Sequence, residues 1–180
     1  LLNVINDILD MSKIEAGHMR INREKVDLAP LVEETLRLTA IQAAQKNISI
    51  QKRVCDDMHM AVDRRAMKQI MLNLLSNAVK FTGTGGRVEL RTHVHEKGLM
   101  LTIADTGIGI PSTAINKIGQ PFEQVQSQYA KSQGGSGLGL AISRSLIKLH
   151  GGTMKIRSCE GKGTVVALMI PHAETTAGCA

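Results

Sequence analysis

Four short stretches of the chain carry residue types suited to holding a phosphorylated nucleotide. In the run Met71–Gly85, MLNLLSNAVKFTGTG, a helix turning about 100° per residue places Asn73, Asn77 and Lys80 within about 60° of one another. Gln69 and Ser76 fit the same stripe, while Met67, Met71, Leu74, Leu75 and Ala78 fill the opposite face, with Ile70 at its edge. A core-facing helix usually turns freely variable charge outward. Two amides and a lysine are either a wet face of that kind or a set of ligands. The sequence Asp105-Thr-Gly-Ile-Gly follows directly on an apolar strand. A carboxylate there is costly unless it meets a donor such as the exocyclic amine of a base. Gly107 and Gly109 would let backbone approach a flat ring, although Asp and Gly are also common where a chain simply turns out of a strand.

The third stretch, GGSGLGLAIS from Gly134, runs straight into a helix. Free N–H groups at a helix start, with glycines that let an anion come near, make a phosphate cradle. No Gly-Lys-Ser/Thr follows, so it is not a Walker loop, and the glycine intervals do not fit GxGxxG. A flexible linker is the plainer alternative, weakened by the strongly helical sequence beyond. Between these clusters, residues 111–133 include PFEQ from Pro121. A segment this long without periodicity in a small domain suits a lid, and Phe122 is expected to pack when it closes.

These residues must be positioned by an aliphatic, methionine-rich core, because the chain has one Tyr, two Phe and no Trp in 180 residues. Net charge is +6, but the basic residues are scattered and not interleaved with aromatics, which argues against nucleic acid as a partner. Cys55, Cys159 and Cys179 match no metal spacing and fit a reducing, cytoplasmic setting. No apolar run is long enough to span a bilayer; anchoring through other segments stays open. The chain opens on Leu-Leu-Asn without Met, and is expected to be part of something longer.

Residues 1–20 read as a helix with two adjoining apolar seams (Leu2, Ile5, Leu9, Ser12 and Leu1, Val4, Ile8, Met11), suited to a helical bundle, with Gly17 able to end it. The charged stretch 20–30 is taken as a domain boundary. Asp27 can cap a second helix in which Leu28, Leu31, Val32, Thr35, Leu38 and Ile41 give the apolar spacing. Strands are expected at 48–54, 60–62, 87–94, 99–104, 153–157 and 164–170. Helices are expected from Asp63, as cap, through the amide stripe, and from Leu138 to His150. The class is α+β, a mostly antiparallel sheet with helices on one face.

In order and spacing the four stretches resemble the sensor histidine kinases of two-component signalling. NLLSNAVKFT resembles their N box, DTGIG the first glycine box, PFEQ the F box and GSGLGL the second glycine box, followed by Gly161-Lys-Gly-Thr164. Residues 1–22 resemble the second helix of the dimerisation and histidine-phosphotransfer hairpin, residues 23–172 the catalytic domain, and 173–180 a disordered tail. INDILDMSKIEAG and PFEQVQSQYAKS are most similar to bacterial cell-cycle kinases.

The resemblance implies a two-layer α/β sandwich shared with gyrase, a heat-shock chaperone and MutL, binding ATP and Mg²⁺. It implies that Asn77 holds the metal through its side-chain oxygen, that Asn73 and Lys80 act in catalysis on the phosphate side, and that Asp105 accepts from the adenine amine. Gly107, Gly109, Gly135, Gly137 and Gly139 would shape the pocket and lid hinges. Ile110, Phe122, Ser136, Leu138, Leu140 and Thr164 would complete it. Related ATPases carry Glu where this chain has Asn73, and an amide is no base at neutral pH. ATP should therefore be hydrolysed poorly, its γ-phosphoryl passing to a histidine and then to a response-regulator aspartate. None of the six histidines (18, 59, 93, 95, 150, 172) stands in a helical His-Glu/Asp context, so the acceptor is expected on an upstream helix of a homodimeric bundle. A pseudokinase used as a docking module is the alternative. An ATPase of the gyrase type is disfavoured by Asn73 and the bundle helix.

Overall fold

The computed structural model describes residues 2–55, 58–123 and 136–172. Helix α1 (Leu2–Glu15) leads to strand β1 (Glu24–Asp27) and helix α2 (Leu28–Gln45). Strands β2 (Ser49–Arg53) and β3 (His59–Val62) precede helix α3 (Arg64–Phe81), the element that carries the amide stripe. A hairpin of β4 (Arg87–His95) and β5 (Gly98–Asp105) is followed by a one-turn helix α4 (Ser112–Ile115). Helix α5 (Gly139–Leu149) and the hairpin β6 (Thr153–Cys159) and β7 (Gly163–Pro171) complete the fold.

Five strands form one sheet in the order β2-β4-β5-β7-β6, and β1 pairs with β3 in a separate antiparallel ribbon. Only β2 against β4 is parallel in the large sheet; the other three pairs are antiparallel. Helices α2, α3 and α5 pack side by side on one sheet face. Inward residues Val88, Leu90, Leu99, Leu101, Ile103, Leu168 and Ile170 are buried there, while Met100 and Val165 on the other face are exposed. Helix α3 supplies eight buried side chains: Ala66, Met67, Ile70, Met71, Leu74, Leu75, Ala78 and Val79. Burying each of the larger ones contributes about 1.5–3 kcal/mol, so this face anchors the helix and turns its polar face away from the core.

Three expectations change. The charged stretch 20–30 contains β1, whose single buried residue is Val26; one inward valine among charges is too weak a period to read. The apolar face of α2 does not run through Leu38 and Ile41, which are 55% and 71% exposed. It continues through Leu36, Thr39 and Ala43 instead. Thr35 and Thr39 can be buried because their hydroxyls donate to the carbonyls of Val32 and Thr35 one turn back, at 2.8 and 3.1 Å. Finally α1 does not run to residue 20: it stops at Glu15, and Gly17, in the left-handed region at φ 68°, ends it as its type suggested.

Side chains bolt the layers together. Asp63 caps α3 through the Ala66 N–H and also accepts from the Asn22 N–H. Buried His150, at the end of α5, accepts the Asp63 N–H on Nε2 and contacts the Leu146 carbonyl through Nδ1, 2.7 Å away, while its own carbonyl accepts from Arg23. Burial holds the His150 imidazole below its usual range, and the neutral ring suits a position that must both accept and donate.

Candidate functional site

A pocket opens between α3 and the β5–β7–β6 part of the sheet. Leu74, Ala78 and Phe81 of α3, Ile103, Ile108, Ile118, Ile156 and Val166 form its apolar walls, with Asn77, Asp105, Gly109, Ile110, Leu140 and Thr164 placed among them. A mostly aliphatic slot with a few convergent polar groups suits a flat, partly apolar ligand such as a base.

The floor is Asp105, the last residue of β5. Its Oδ1 accepts the N–H groups of Gly107 at 2.8 Å and Thr164 at 3.2 Å. Burial raises the Asp105 pKa above the ordinary aspartate value, and these two N–H groups only partly offset it. Its Oδ2 makes no hydrogen bond among the described residues, so an acceptor stays available beside the pocket. The glycines around it have a sharper reason than ligand approach alone. A Cβ on Gly107 would lie 2.4 Å from the Phe81 carbonyl oxygen, and one on Gly109 2.1 Å from that of Cys159. Both turns are pressed against backbone, and Gly109 also needs its φ of 69°.

Asn77 lines the pocket directly, one helical turn from Asn73. Asn73 itself points to α5: its Nδ2 donates to the Gly139 carbonyl at 3.0 Å and to the Ser143 hydroxyl at 3.3 Å, and that hydroxyl donates to the same carbonyl. The carbonyl fixes the amide's orientation, because only the nitrogen can donate. A Cβ added to Gly139 would lie 3.4 Å from Asn73 Cγ, an ordinary contact. Lys80 stands on the last turn of α3 with its Nζ 5.0 Å from the Phe81 ring centroid. Burial, and then the nearby Lys46 charge, hold its ammonium below the usual lysine range.

The start of α5 joins this end of the site to α1. The Ser136 hydroxyl donates to Asp7 Oδ2 at 3.0 Å and accepts the Leu138 N–H at 3.2 Å. Gln69 Nε2 donates to Asp10 Oδ2 at 2.9 Å, and Met11 is buried between these contacts and the helices. Gly137 adopts φ 72°, and Leu138 is fully buried.

Of the residues read from sequence, Asn77, Asp105, Gly109, Ile110, Leu140 and Thr164 meet at the pocket, and Gly107 buttresses it. Asn73 meets Gly139 where α3 faces the start of α5, with Ser136, Gly137 and Leu138 just before it, while Lys80 stands on the last turn of α3. Phe122 is not brought in; it stands 66% exposed with φ 63°. Gly135 and the Gln124 of PFEQ lie outside the described residues.

Two supporting residues escaped the sequence reading. Lys46 Nζ donates to the carbonyls of Val79, Lys80 and Thr82, at 3.1, 2.7 and 3.3 Å, and so caps the end of α3. Its own carbonyl accepts the Gly85 N–H. Ser158 on β6 accepts the Ile110 N–H and contacts Gly163 and Thr164. A lone lysine before a strand and a serine before a turn carry no spacing signal; only the tertiary pairing shows them.

The fold and site define an ATP-binding α/β sandwich. Residues 62–174 match the profile of the histidine kinase-, DNA gyrase B- and HSP90-like ATPases, and the chain belongs to this family. It is 41% identical over 95% of its length to a sensor-like histidine kinase of Rhizobium meliloti, covering 33% of that protein. It is 40% identical over 95% of its length to the histidine protein kinase DivJ of Caulobacter vibrioides, covering 29% of it. Among solved structures, full-length ShkA in complex with AMPPNP superposes with a TM-score of 0.84 at 30% identity, over 96% of this chain and 36% of ShkA. The chain thus spans between about a tenth and a third of the length of the curated relatives it matches. These likenesses bear out the histidine-kinase resemblance, the α+β sandwich and ATP as the nucleotide, and DivJ supports the cell-cycle kinase type.

Proposed function

We propose that this chain is the catalytic part of a sensor histidine kinase that binds Mg-ATP and presents the γ-phosphoryl to a histidine held outside the described residues. Asp105 receives the adenine amine, and the aliphatic walls exclude water from the ring. Asn77, the side-chain amide in the pocket wall, suits Mg²⁺, a hard cation that accepts neutral oxygens and keeps several waters. Among the described residues no three His, Cys, Asp or Glu side chains cluster as an alternative metal site. When bound, the metal supplies charge neutralisation across the phosphates. Lys80 adds positive charge at the same end.

The observation that carries the reading is Asn73. The position that would hold a water-activating base holds an amide, and that amide is committed to the first carbonyl of α5. Catalysis then rests on positioning and charge, and ATP waits for a better nucleophile than water. The chain's own histidines suit that role poorly. His150 is buried at the far end of α5, the tilted rings of His93 and His95 lie 5.8 Å apart on β4, His59 lies on β3, His172 contacts the His95 carbonyl, and His18 follows α1. Val4, Ile5, Ile8 and Leu9 of α1 remain exposed, as a helix would if it joined a homodimeric bundle that carries the acceptor.

Residues 1–22 would then be the end of that bundle, 23–172 the catalytic domain, and a cytoplasmic receiver domain the final acceptor. The histidine kinase ThkA, which shares this fold, is solved in complex with the response regulator protein TrrA. Incubated with ATP, this chain should leave all six of its histidines unphosphorylated and release inorganic phosphate slowly. A longer form carrying the preceding helix should phosphorylate a histidine there. Label on one of these six histidines, or a longer form that binds ATP without phosphorylation, would contradict the proposal; the second result would favour a docking module.

A further inference from the structure

We infer that Ser158 is a specificity-determining positioning residue: it fixes the proton of the Thr164 hydroxyl so that the pocket offers acceptors alone to the 6-position of a purine. The inference rests on the reading of the pocket as the adenine site. Ser158 and Thr164 face each other across the β6–β7 hairpin, and Thr164 lies beside Asp105 in the pocket wall. Ser158 Oγ has three neighbours at 2.8 Å: the Ile110 N–H, the Gly163 carbonyl and Thr164 Oγ1. Two oxygens at this separation need one hydrogen between them.

Counting protons settles the direction of each bond. The Ile110 N–H can only donate, so Ser158 accepts there. The Gly163 carbonyl can only accept, so the one serine proton goes to it. Toward Thr164 the serine has nothing left to give, and Thr164 must donate. No buried side-chain oxygen among the described residues is left unpaired, as this arrangement requires. The Thr164 hydroxyl, its proton spent, turns lone-pair density to the pocket, next to the open Oδ2 of Asp105. Two acceptors side by side match a 6-amino group, which has two hydrogens. A 6-oxo purine would set its own lone pairs against both.

Inosine triphosphate differs from ATP in the 6-oxo group and the ring N–H beside it, and is the probe. Its affinity and that of ATP are measured by calorimetry on the 180-residue chain and on variants. Ser158→Ala frees the Thr164 hydroxyl to rotate and donate. The ATP-over-ITP preference should fall about tenfold, the scale of one hydrogen bond reversed. Ser158→Thr keeps the hydroxyl and should restore the parent preference. In a Thr164→Val background, Ser158→Ala should leave the preference unchanged, because the group it orients is gone.

Equal weakening of both nucleotides by Ser158→Ala, with the preference intact, would overturn the inference and leave the adenine site standing. So would a shift in preference that persists in the Thr164→Val background. A parent chain that binds neither nucleotide would instead remove the site reading on which the inference rests.

Discussion

The two ends of the proposed nucleotide site, one for the base and one for the phosphates, are built on different principles. At the base end, Asp105, Ser158, Thr164 and the two glycine turns belong to neighbouring strands, and their hydrogen bonds run mostly to backbone. At the phosphate end, Asn73 and Lys80 sit on α3 and Ser136 just before α5, held by contacts that cross from one element to another. Lys46 reaches from the end of α2, Asn73 crosses to α5, and Asp7 comes from α1. A sheet ladder fixes geometry cooperatively, whereas each helix-to-helix bond can be made or lost alone. The base end is therefore a fixed socket, and the phosphate end an assembly that depends on how α1, α3 and α5 dock.

That contrast can be broken at either end. The largest effect should come from acid. In the proposed pocket Asp105 accepts the adenine amine most strongly as a carboxylate, and burial raises its pKa. ATP affinity should thus fall about tenfold per pH unit below that raised value, at a pH where an ordinary aspartate is still charged. Calorimetry across pH checks this, with Asp105→Asn flat over the same range. The same shift makes the empty fold more stable where Asp105 is protonated, and that contribution is lost as pH rises through the raised pKa.

Lys46→Met should be next. It strips three carbonyls at the end of α3 of their donor, costing about 1–3 kcal/mol in chemical denaturation. ATP affinity should weaken while the ATP-over-ITP preference holds, because the base end is untouched. Asn73→Glu should follow. Its carboxylate would face the Gly139 carbonyl instead of donating to it, so stability should drop by about 1–2 kcal/mol and phosphotransfer should not rise. A clear gain in histidine phosphorylation would show that the missing base limits the reaction. The smallest effect belongs to Asp7→Ala, which removes the contact to Ser136. Stability should change by less than about 1 kcal/mol, with the only marked change in hydrogen exchange at the start of α5.

The two ends also differed in how far the sequence foretold them. The base end was legible through Asp105 and its glycines, because a carboxylate closing an apolar strand is a strong local signal. The reason for those glycines was not, since the carbonyls of Phe81 and Cys159 that press on them arrive from distant segments. On α3, one apolar face made Asn73, Asn77 and Lys80 readable as a stripe. Their separate directions, Asn77 into the pocket and Asn73 into α5, depend on a neighbouring helix that spacing cannot place. Beyond Thr35, the buried face of α2 departs from the apolar spacing for a related reason. Thr39 and Ala43 are buried in place of the more hydrophobic Leu38 and Ile41, because α3 meets that side and the threonine hydroxyl is satisfied within its own helix. β1 escaped because pairing with β3, rather than its own composition, makes it a strand.

The central claim is that Asp105 and Asn77 form the two poles of one Mg-ATP pocket. Titration of ATP into the chain with and without Mg²⁺, repeated on Asp105→Asn and Asn77→Ala, tests it most directly. Asp105→Asn should weaken ATP at least about tenfold, the loss expected for a charged acceptor, whether or not Mg²⁺ is present. Asn77→Ala should remove most of the Mg²⁺-dependent gain and leave metal-free binding near the parent value. Magnesium enhancement that survives intact in Asn77→Ala, or ATP binding unchanged in Asp105→Asn, would contradict it.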